Sequence, residues 1–149
     1  MDELSLVELT KDNWERVAAL EVNPGQEGFV APNLKTIAET RFYPWSVCRV
    51  VQKGAEPIGL AAFGVDPDDN ELWLFRFMIA GREQGKGFGR EVLRRLIEEW
   101  REIPGVSRVV LSYEPGNAAA ERLYVSFGFV PGEITEWGER MARLDFTGH

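Results

Sequence analysis

Alternation of apolar and polar residues predicts strands through much of the first half of the chain. LSLVELT, residues 4–10, alternates with a period of two, which is typical of a strand with one buried face. Further runs rich in branched and aromatic residues occupy positions 45–52, 57–65 and 71–79. Short polar turns separate these runs, so they predict an antiparallel meander.

Apolar residues recur at helical spacing in other segments. These segments are residues 12–22, 34–42, 89–103 and 117–127. The third is the most regular, because its charged side chains fall opposite the apolar face. Asn117 is predicted to cap the last helix, since an asparagine side chain can accept a hydrogen bond from a free amide of the first turn.

The end of the chain completes the predicted order of elements. Residues 106–113 read as a buried strand, and the turn signals at Pro131-Gly132 and Gly138 predict a closing β-hairpin. The resulting order is β-α-α-β-β-β-α-β-α-β-β. It predicts an α/β fold of the mixed (α+β) kind, in which one mixed sheet carries helices on its faces. A length of 149 residues without repeats or linkers favours a single domain over residues 1–149.

Composition narrows the available chemistry. Cys48 is the only cysteine and His149 the only histidine, which leaves no material for intrachain disulfides, cysteine/histidine zinc sites or serine-histidine pairs. Catalysis would have to use carboxylates, tyrosine, lysine, arginine and backbone amides, and we expect no metal. The net charge of −7 argues against nucleic-acid binding and mildly favours a cationic small partner. With no membrane-length apolar run and an acidic start, we expect a cytoplasmic protein.

Glycines alternate at Gly85, Gly87 and Gly89, between a predicted strand and a predicted helix. The spacing fits neither a P-loop, which needs one more residue and a serine or threonine, nor a dinucleotide-binding loop, where residue 90 would have to be glycine or alanine. It does fit the pattern Q/R-x-x-G-x-G/A, beginning at Gln84. Loop amides and a helix N-terminus with about half a positive charge would meet there, which suits a pyrophosphate.

With that motif the chain resembles the GNAT family of N-acetyltransferases over nearly its whole length. A second motif of the family, N-x-x-A-x-x-x-Y-x-x-x-G-F, is matched from Asn117 to Phe129. The resemblance implies an acyl-CoA N-acyltransferase fold, with acetyl-CoA as co-substrate. It implies these cofactor-binding residues: Phe77, Met78, Ile79, Gln84, Gly85, Lys86, Gly87, Phe88, Gly89, Arg90 and Asn117.

Tyr124 resembles the family's general acid, which protonates the departing CoA thiolate. A phenol hydroxyl near the sulfur can donate a proton as negative charge develops there. The alternative is a core tyrosine on the apolar face of its helix, beside Leu123 and Phe127.

Three segments, residues 26–42, 72–79 and 132–144, resemble the polyamine acetyltransferases of the Bacillus Blt type. The resemblance implies spermidine or spermine as the acceptor, although Phe75 stands where related enzymes commonly carry an acidic residue. The candidate bases are then Glu27, Glu39 and Glu71, or a chain of water molecules between separated strands, and Phe75 is counted with these glutamates among the substrate-side residues.

Other readings stay open at this point. The acceptor could be a protein N-terminus, an aminoglycoside or an amino acid, and the non-enzyme alternative is a non-catalytic acyl-CoA-binding module. Arg76 is either an ion-pair anchor in the sheet or a cofactor contact. The sequence leaves the oligomeric state open, a homodimer included.

Overall fold

The computed structural model describes residues 3–146, and within them the predicted order of strands and helices is confirmed. The elements are β1 (Leu4–Glu8), α1 (Trp14–Ala18), α2 (Asn33–Phe42), β2 (Ser46–Lys53), β3 (Glu56–Val65), β4 (Leu72–Ile79), α3 (Phe88–Arg101), β5 (Arg108–Tyr113), α4 (Ala118–Ser126), β6 (Val130–Ile134) and β7 (Arg140–Asp145). A single 3-10 turn, Gly81–Glu83, joins β4 to the glycine loop.

The strands form one seven-stranded sheet in the order β1-β2-β3-β4-β5-β7-β6. The antiparallel meander of β2, β3 and β4 is confirmed, as is the antiparallel hairpin of β6 and β7. Only β4 and β5 run parallel within the described sheet, because α3 carries the chain back between them. The mixed sheet expected from the sequence is therefore present.

Alternate side chains of the central strands feed two apolar layers on opposite faces of the sheet. Trp100 of α3 is fully buried in the larger layer. Val17 of α1 and Met78 of β4 belong to the smaller layer, which α2 also covers. Burying each large apolar side chain contributes about 1.5–3 kcal/mol, so the regular apolar face of α3 is a main anchor of the fold.

The first helix is shorter than the pattern predicted. It ends at Ala18, and Trp14 remains 38% exposed instead of joining a buried stripe. The backbone after α1 leaves the helical path and contacts the segment that follows β4, where the Glu21 carbonyl accepts a hydrogen bond from the amide of Gly81 at 2.8 Å. A tertiary contact at the edge of the glycine loop thus replaces the last predicted helical turn.

Strands β4 and β5 separate halfway along β4. Their parallel pairing covers only Leu72 to Leu74 of β4. At the same point the β3–β4 register skips Phe75, because Ala62 pairs with Arg76 and the next residue of β3 pairs with Leu74. A bulge of this kind bends the strand and re-aims its side chains, and bulges are common beside active sites. The sheet therefore opens from Phe75 onward, next to the start of α3.

Candidate active site

The opening between β4 and β5 forms a first cavity of about 220 Å³. Its walls are the end of β4, the glycine loop, the first turn of α3, one face of α4 and part of the α1–α2 connection. The predicted cofactor residues that line it are Phe77, Met78, Ile79, Gln84, Gly85, Gly87, Phe88, Gly89 and Asn117. The structure thus brings most of the predicted cofactor residues to one place.

Backbone conformation explains two of the three alternating glycines. Gly85 and Gly87 have φ of 79° and 87°, in the left-handed region that favours glycine, and Gly87 directly precedes the first residue of α3. Gly89 needs no such conformation, but it lies in the first helical turn and lines the cavity. A Cβ built on Gly85 would meet no protein atom within 4 Å, so open space lies beside the loop. Free amides at the start of α3 beside that space suit a pyrophosphate.

Gln84 holds the glycine loop to the α1–α2 connection. Its side-chain amide donates to the carbonyl of Ile79 at 2.9 Å and to Gln26 Oε1 at 3.0 Å. Gln26 donates back to Gln84 at 3.1 Å, and Asn23 adds a contact at 3.3 Å. The side chain of Gln84 is therefore engaged with protein groups, and Gln26 is a site residue that the sequence motif did not indicate.

Lys86, predicted to contact the cofactor, does not line the cavity and is held instead by Glu83. The buried carboxylate of Glu83 accepts hydrogen bonds from Lys53 Nζ at 2.7 Å and from Lys86 Nζ at 3.0 Å. The bond from Lys53, followed by that from Lys86, lowers the pKa of Glu83. The ion pairs of Glu83 with Lys53 and Lys86 thus hold the start of the glycine loop in place.

Arg90 also lies outside the cavity. Its guanidinium stands 5.4 Å from the ring centre of Phe127, between α3 and the end of α4. This stacking ties the two helices together. The structure therefore gives Arg90 a packing role where the resemblance implied a cofactor contact.

Tyr124 on α4 borders the first cavity and is 9% exposed. Its ring packs against Tyr113 and Phe129, with ring centres 5.9 and 5.7 Å away. Burial raises the pKa of Tyr124 above its ordinary value, so the hydroxyl keeps its proton at neutral pH. Within residues 3–146 no hydrogen bond engages that hydroxyl. The placement suits a proton donor, and the general-acid role stays a prediction.

Asn117 caps α4 as predicted. Its side-chain oxygen accepts a hydrogen bond from the amide of Ala120 at 3.2 Å. The same residue lines the first cavity, so capping is compatible with the ligand contact that the resemblance implies.

A second cavity, of about 340 Å³, adjoins the first. The two share a wall formed by Phe29, Val30, Phe77, Asn117, Ala120 and Tyr124. Polar groups reach the second cavity from several elements: Lys35 from α2, Arg76 from β4, Ser112 from β5 and Glu139 from the β6–β7 turn. Two different ligands could therefore meet at the shared wall.

Glu139 is a site residue that the sequence did not indicate. Its carboxylate accepts a hydrogen bond from Ser112 Oγ at 2.6 Å. Only the pairing of β7 between β5 and β6 brings the hairpin turn to Tyr124, and no local pattern in the chain specified that pairing.

The acceptor-side residues proposed from the sequence fall in different places. Phe75 lines the second cavity and packs edge-on to Trp45 at 5.8 Å. Glu39 forms an ion pair with Arg76 at 3.0 Å, which confirms Arg76 as an ion-pair anchor. Glu27 accepts a hydrogen bond from the amide of Gly25 at 2.9 Å and lines a different cavity beside Met78.

The structure contradicts the prediction for Glu71. This residue precedes β4 at the end where the pairing with β5 is intact, and its carboxylate lies 3.5 Å from Arg108. Phe77 lies six residue steps further along the strand, roughly 20 Å away. It contributes to neither cavity and cannot act as a base there.

In the described part of the chain, no cluster of three or more histidine, cysteine, aspartate or glutamate side chains is placed to bind a metal ion. Residues 3–146 likewise contain no helix with the length and apolar character needed to cross a membrane.

Comparison with known proteins identifies relatives over most of the chain. The sequence model of the acetyltransferase (GNAT) family matches residues 8–129. A spermine/spermidine N(1)-acetyltransferase from Bacillus subtilis is 30% identical over 148 residues, covering 93% of this chain and 95% of the relative. An L-methionine sulfoximine/L-methionine sulfone acetyltransferase from Salmonella typhimurium is 44% identical over 66 residues, covering 43% of this chain and 38% of the relative.

The fold is also similar to solved structures. A spermidine N-acetyltransferase from Vibrio cholerae, solved in complex with CoA and spermine, superimposes with a TM-score of 0.75 at 20% identity. The alignment covers 94% of this chain and 92% of that one. At this identity the similarity concerns the fold.

Proposed function

Because this chain belongs to the acetyltransferase (GNAT) family, we propose that it transfers the acetyl group of acetyl-CoA to a polyamine such as spermidine or spermine. Acetyl-CoA-dependent N-acetyl transfer follows from the family and from relatives that are N-acetyltransferases, which favours an enzyme over a non-catalytic acyl-CoA-binding module. The identity of the amine is the part that is proposed.

One observation supports the proposal above the others: two cavities meet at a wall that contains Tyr124, where β4 and β5 separate. A direct transfer needs a donor and an acceptor side by side, held in attack geometry. The first cavity, lined by the glycine loop and the end of β4, suits the donor acetyl-CoA. The second cavity adjoins it and would hold the acceptor amine.

The chain's own groups divide the binding work. The loop at Gly85 and Gly87 and the first amides of α3 would hold the pyrophosphate, since the left-handed glycines let the backbone approach it. The backbone of β4 from Phe77 to Ile79 pairs with β3 on one side and has no β5 partner on the other within the described sheet. The polar groups on that open side can pair with the pantetheine arm, except the Ile79 carbonyl, which accepts from Gln84. Acetyl-CoA supplies a thioester whose carbonyl carbon accepts the amine.

Tyr124 is proposed to donate the proton that the departing sulfur of CoA takes up. An ammonium group has a pKa of about 10.4, so it must lose a proton to water before its nitrogen can attack. As the C–N bond forms and the C–S bond breaks, the hydroxyl gives its proton to the sulfur. The proton that leaves the new amide nitrogen restores the hydroxyl.

The polyamine assignment draws on the relative that covers 93% of this chain. It also agrees with the net charge of −7, which attracts a polycation. Release of CoA thiol should follow addition of spermidine or spermine to protein and acetyl-CoA, and mass spectrometry should find the monoacetylated polyamine. Absence of product with both polyamines, while another amine is acetylated, would exclude the assignment.

A second candidate acceptor is an amine that also carries a carboxylate. Lys35 lines the second cavity and could bind such a group, whereas Arg76 lines it as well but already pairs with Glu39. The Salmonella relative, named for an amino-acid derivative, points the same way over a shorter segment. A comparison of kcat/KM for spermidine and for a panel of amino acids distinguishes the two, and Lys35→Glu should lower the value only for a carboxylate-bearing acceptor.

A further inference from the structure

A carboxylate borders the second cavity on the side of the β6–β7 turn. Among the described residues that line this cavity, Glu139 is the only acid. Ser112 donates to its Oε1, and Oε2 stays available to accept from a ligand. No lysine or arginine within residues 3–146 forms an ion pair with it. The carboxylate of Glu139 thus faces the cavity without a direct ion pair, although Lys35 and Arg76 border the same cavity.

The turn that carries Glu139 is fixed in two ways. The amide of Glu139 donates to Thr135 Oγ1 at 3.0 Å, and its carbonyl accepts from the amide of Thr135 at 2.7 Å. With the contact from Ser112, backbone and side chain are both held. A group held in this way can bind a ligand with little loss of conformational entropy.

Acid–base strength argues against Glu139 as the base for the reacting nitrogen. The pKa of an alkylammonium exceeds that of a glutamic acid by about six units, so proton transfer between them is about a millionfold unfavourable. An ion pair would also stabilise the ammonium form and keep that nitrogen from attacking. A carboxylate here is better suited to an amine that stays charged throughout the reaction.

The shape of the site separates that charged amine from the reacting one. Glu139 lines the second cavity but not the first, whereas Tyr124 lines both. Apolar side chains, Leu74 and Phe75, border the same cavity and suit the methylene chain between two amines. Arg76 also borders it, but Glu39 balances its charge at 3.0 Å.

We infer that Glu139 binds a protonated amine of the acceptor other than the nitrogen that is acetylated, which makes the second cavity selective for diamines and longer polyamines over monoamines. The inference rests on the proposed polyamine activity and adds the residue that would recognise it. It also accounts for Phe75, because with an apolar side chain there Glu139 is the one acidic contact for the acceptor among the described residues that line the cavity.

The test compares Glu139→Gln with the unaltered protein on spermidine and on hexylamine, each at saturating acetyl-CoA. We expect the KM for spermidine to rise about tenfold or more, as for loss of a charge-assisted hydrogen bond, while the KM for hexylamine changes less than about twofold. The kcat for spermidine should stay within about threefold, because the lost contact is made equally in the ground and transition states.

Glu136→Gln is the matched control. It removes the same charge from the same turn, but Glu136 is exposed and lies outside the second cavity. It should leave both KM values unchanged. Glu139→Asp keeps the charge and should recover part of the affinity for spermidine, which distinguishes binding from a folding defect that thermal unfolding of each variant would reveal.

Equal changes for spermidine and hexylamine would overturn the inference, and so would an unchanged KM for spermidine. Activity on spermidine that is insensitive to Glu139→Gln would leave the proposed function standing and remove only the role of Glu139. Activity confined to amines other than polyamines would overturn both.

Discussion

The two sides of the site are built by different means. On the donor side, the glycine loop and the end of β4 contribute mainly backbone groups, and the residues that matter are close together in sequence. On the acceptor side, side chains arrive from α2, β4, β5 and the β6–β7 turn. A backbone site needs a particular local conformation, which a short motif can encode, whereas a side-chain site depends on how distant segments pack.

Tyr124 belongs to both sides, so removing its hydroxyl gives the largest expected effect. Tyr124→Phe should lower kcat on the order of 10²-fold or more, as for loss of a general acid, while the affinity for acetyl-CoA stays within about twofold. Steady-state kinetics and calorimetric titration measure the two quantities. Tyr113→Phe is the control, since Tyr113 packs beside it but directs its hydroxyl to Glu121 at 2.7 Å. An unchanged kcat for Tyr124→Phe would remove its proposed role.

Gly87→Ala should damage the donor side alone. A left-handed non-glycine residue costs roughly 1–2 kcal/mol, and relief of that strain would shift the amides that begin α3. We expect the dissociation constant of acetyl-CoA to rise on the order of tenfold. Gly54→Ala imposes similar strain at φ 61° in the β2–β3 turn, with no protein atom within 4 Å of the new Cβ. Equal losses of affinity in the two variants would mean that the loop conformation has no special part in binding.

Glu83→Gln tests the support beneath the glycine loop. Loss of the carboxylate that holds Lys53 and Lys86 should loosen the loop and raise the KM for acetyl-CoA a few-fold. The lowered pKa of Glu83 means that its stabilising contribution is present above the ordinary glutamate pKa and is lost as the pH falls through the lowered value. As the pH falls, the free energy of unfolding should therefore decrease less steeply for Glu83→Gln than for the unaltered protein.

Glu56→Gln is the control for that variant. Glu56 pairs with Arg82 of the neighbouring 3-10 turn at 2.6 Å, but both side chains are 54% exposed. Exposed ion pairs contribute little, so its KM for acetyl-CoA should be unchanged. If both glutamate variants behave alike, the buried ion cluster does not position the loop.

The smallest expected effect is on stability at alkaline pH. Burial raises the pKa of Tyr113 to about 12 and also raises that of Tyr124, whereas an unfolded tyrosine titrates at about 10. Above that value the unfolded state loses protons that the folded state keeps, so the free energy of unfolding falls as the pH rises. Urea unfolding from about pH 9 to about pH 11 should show a shallower decline for Tyr124→Phe. A decline as steep as that of the unaltered protein would indicate that the hydroxyl is exposed.

The same difference explains what could be predicted from the sequence. Periodicity and turn signals predicted the order of strands and helices, although α1 ends earlier than its pattern. The residues from Gln84 to Gly89 that line the first cavity were also indicated by spacing, because left-handed glycines and a helix start are local features, and their role in binding the cofactor stays a prediction. The side chains of Lys86 and Arg90 were assigned to the cofactor, but Glu83 and Phe127 engage them, and no spacing rule indicates such partners.

The acceptor side was predicted less well. Glu71 was named as a candidate base, but it lies at the end of β4 that pairs with β5, away from the opening. Glu139 was missed, because its position beside Tyr124 depends on the pairing of β7 with β5. A single domain, a cytoplasmic location and the absence of a nucleic-acid partner remain predictions.

The division of the site into a donor side and an acceptor side is tested most directly by calorimetric titration of acetyl-CoA into the unaltered protein, Gly87→Ala and Glu139→Gln. We predict that Gly87→Ala weakens binding and that Glu139→Gln binds acetyl-CoA as tightly as the unaltered protein. Equal weakening in both variants, or none in Gly87→Ala, would contradict the assignment of the two cavities.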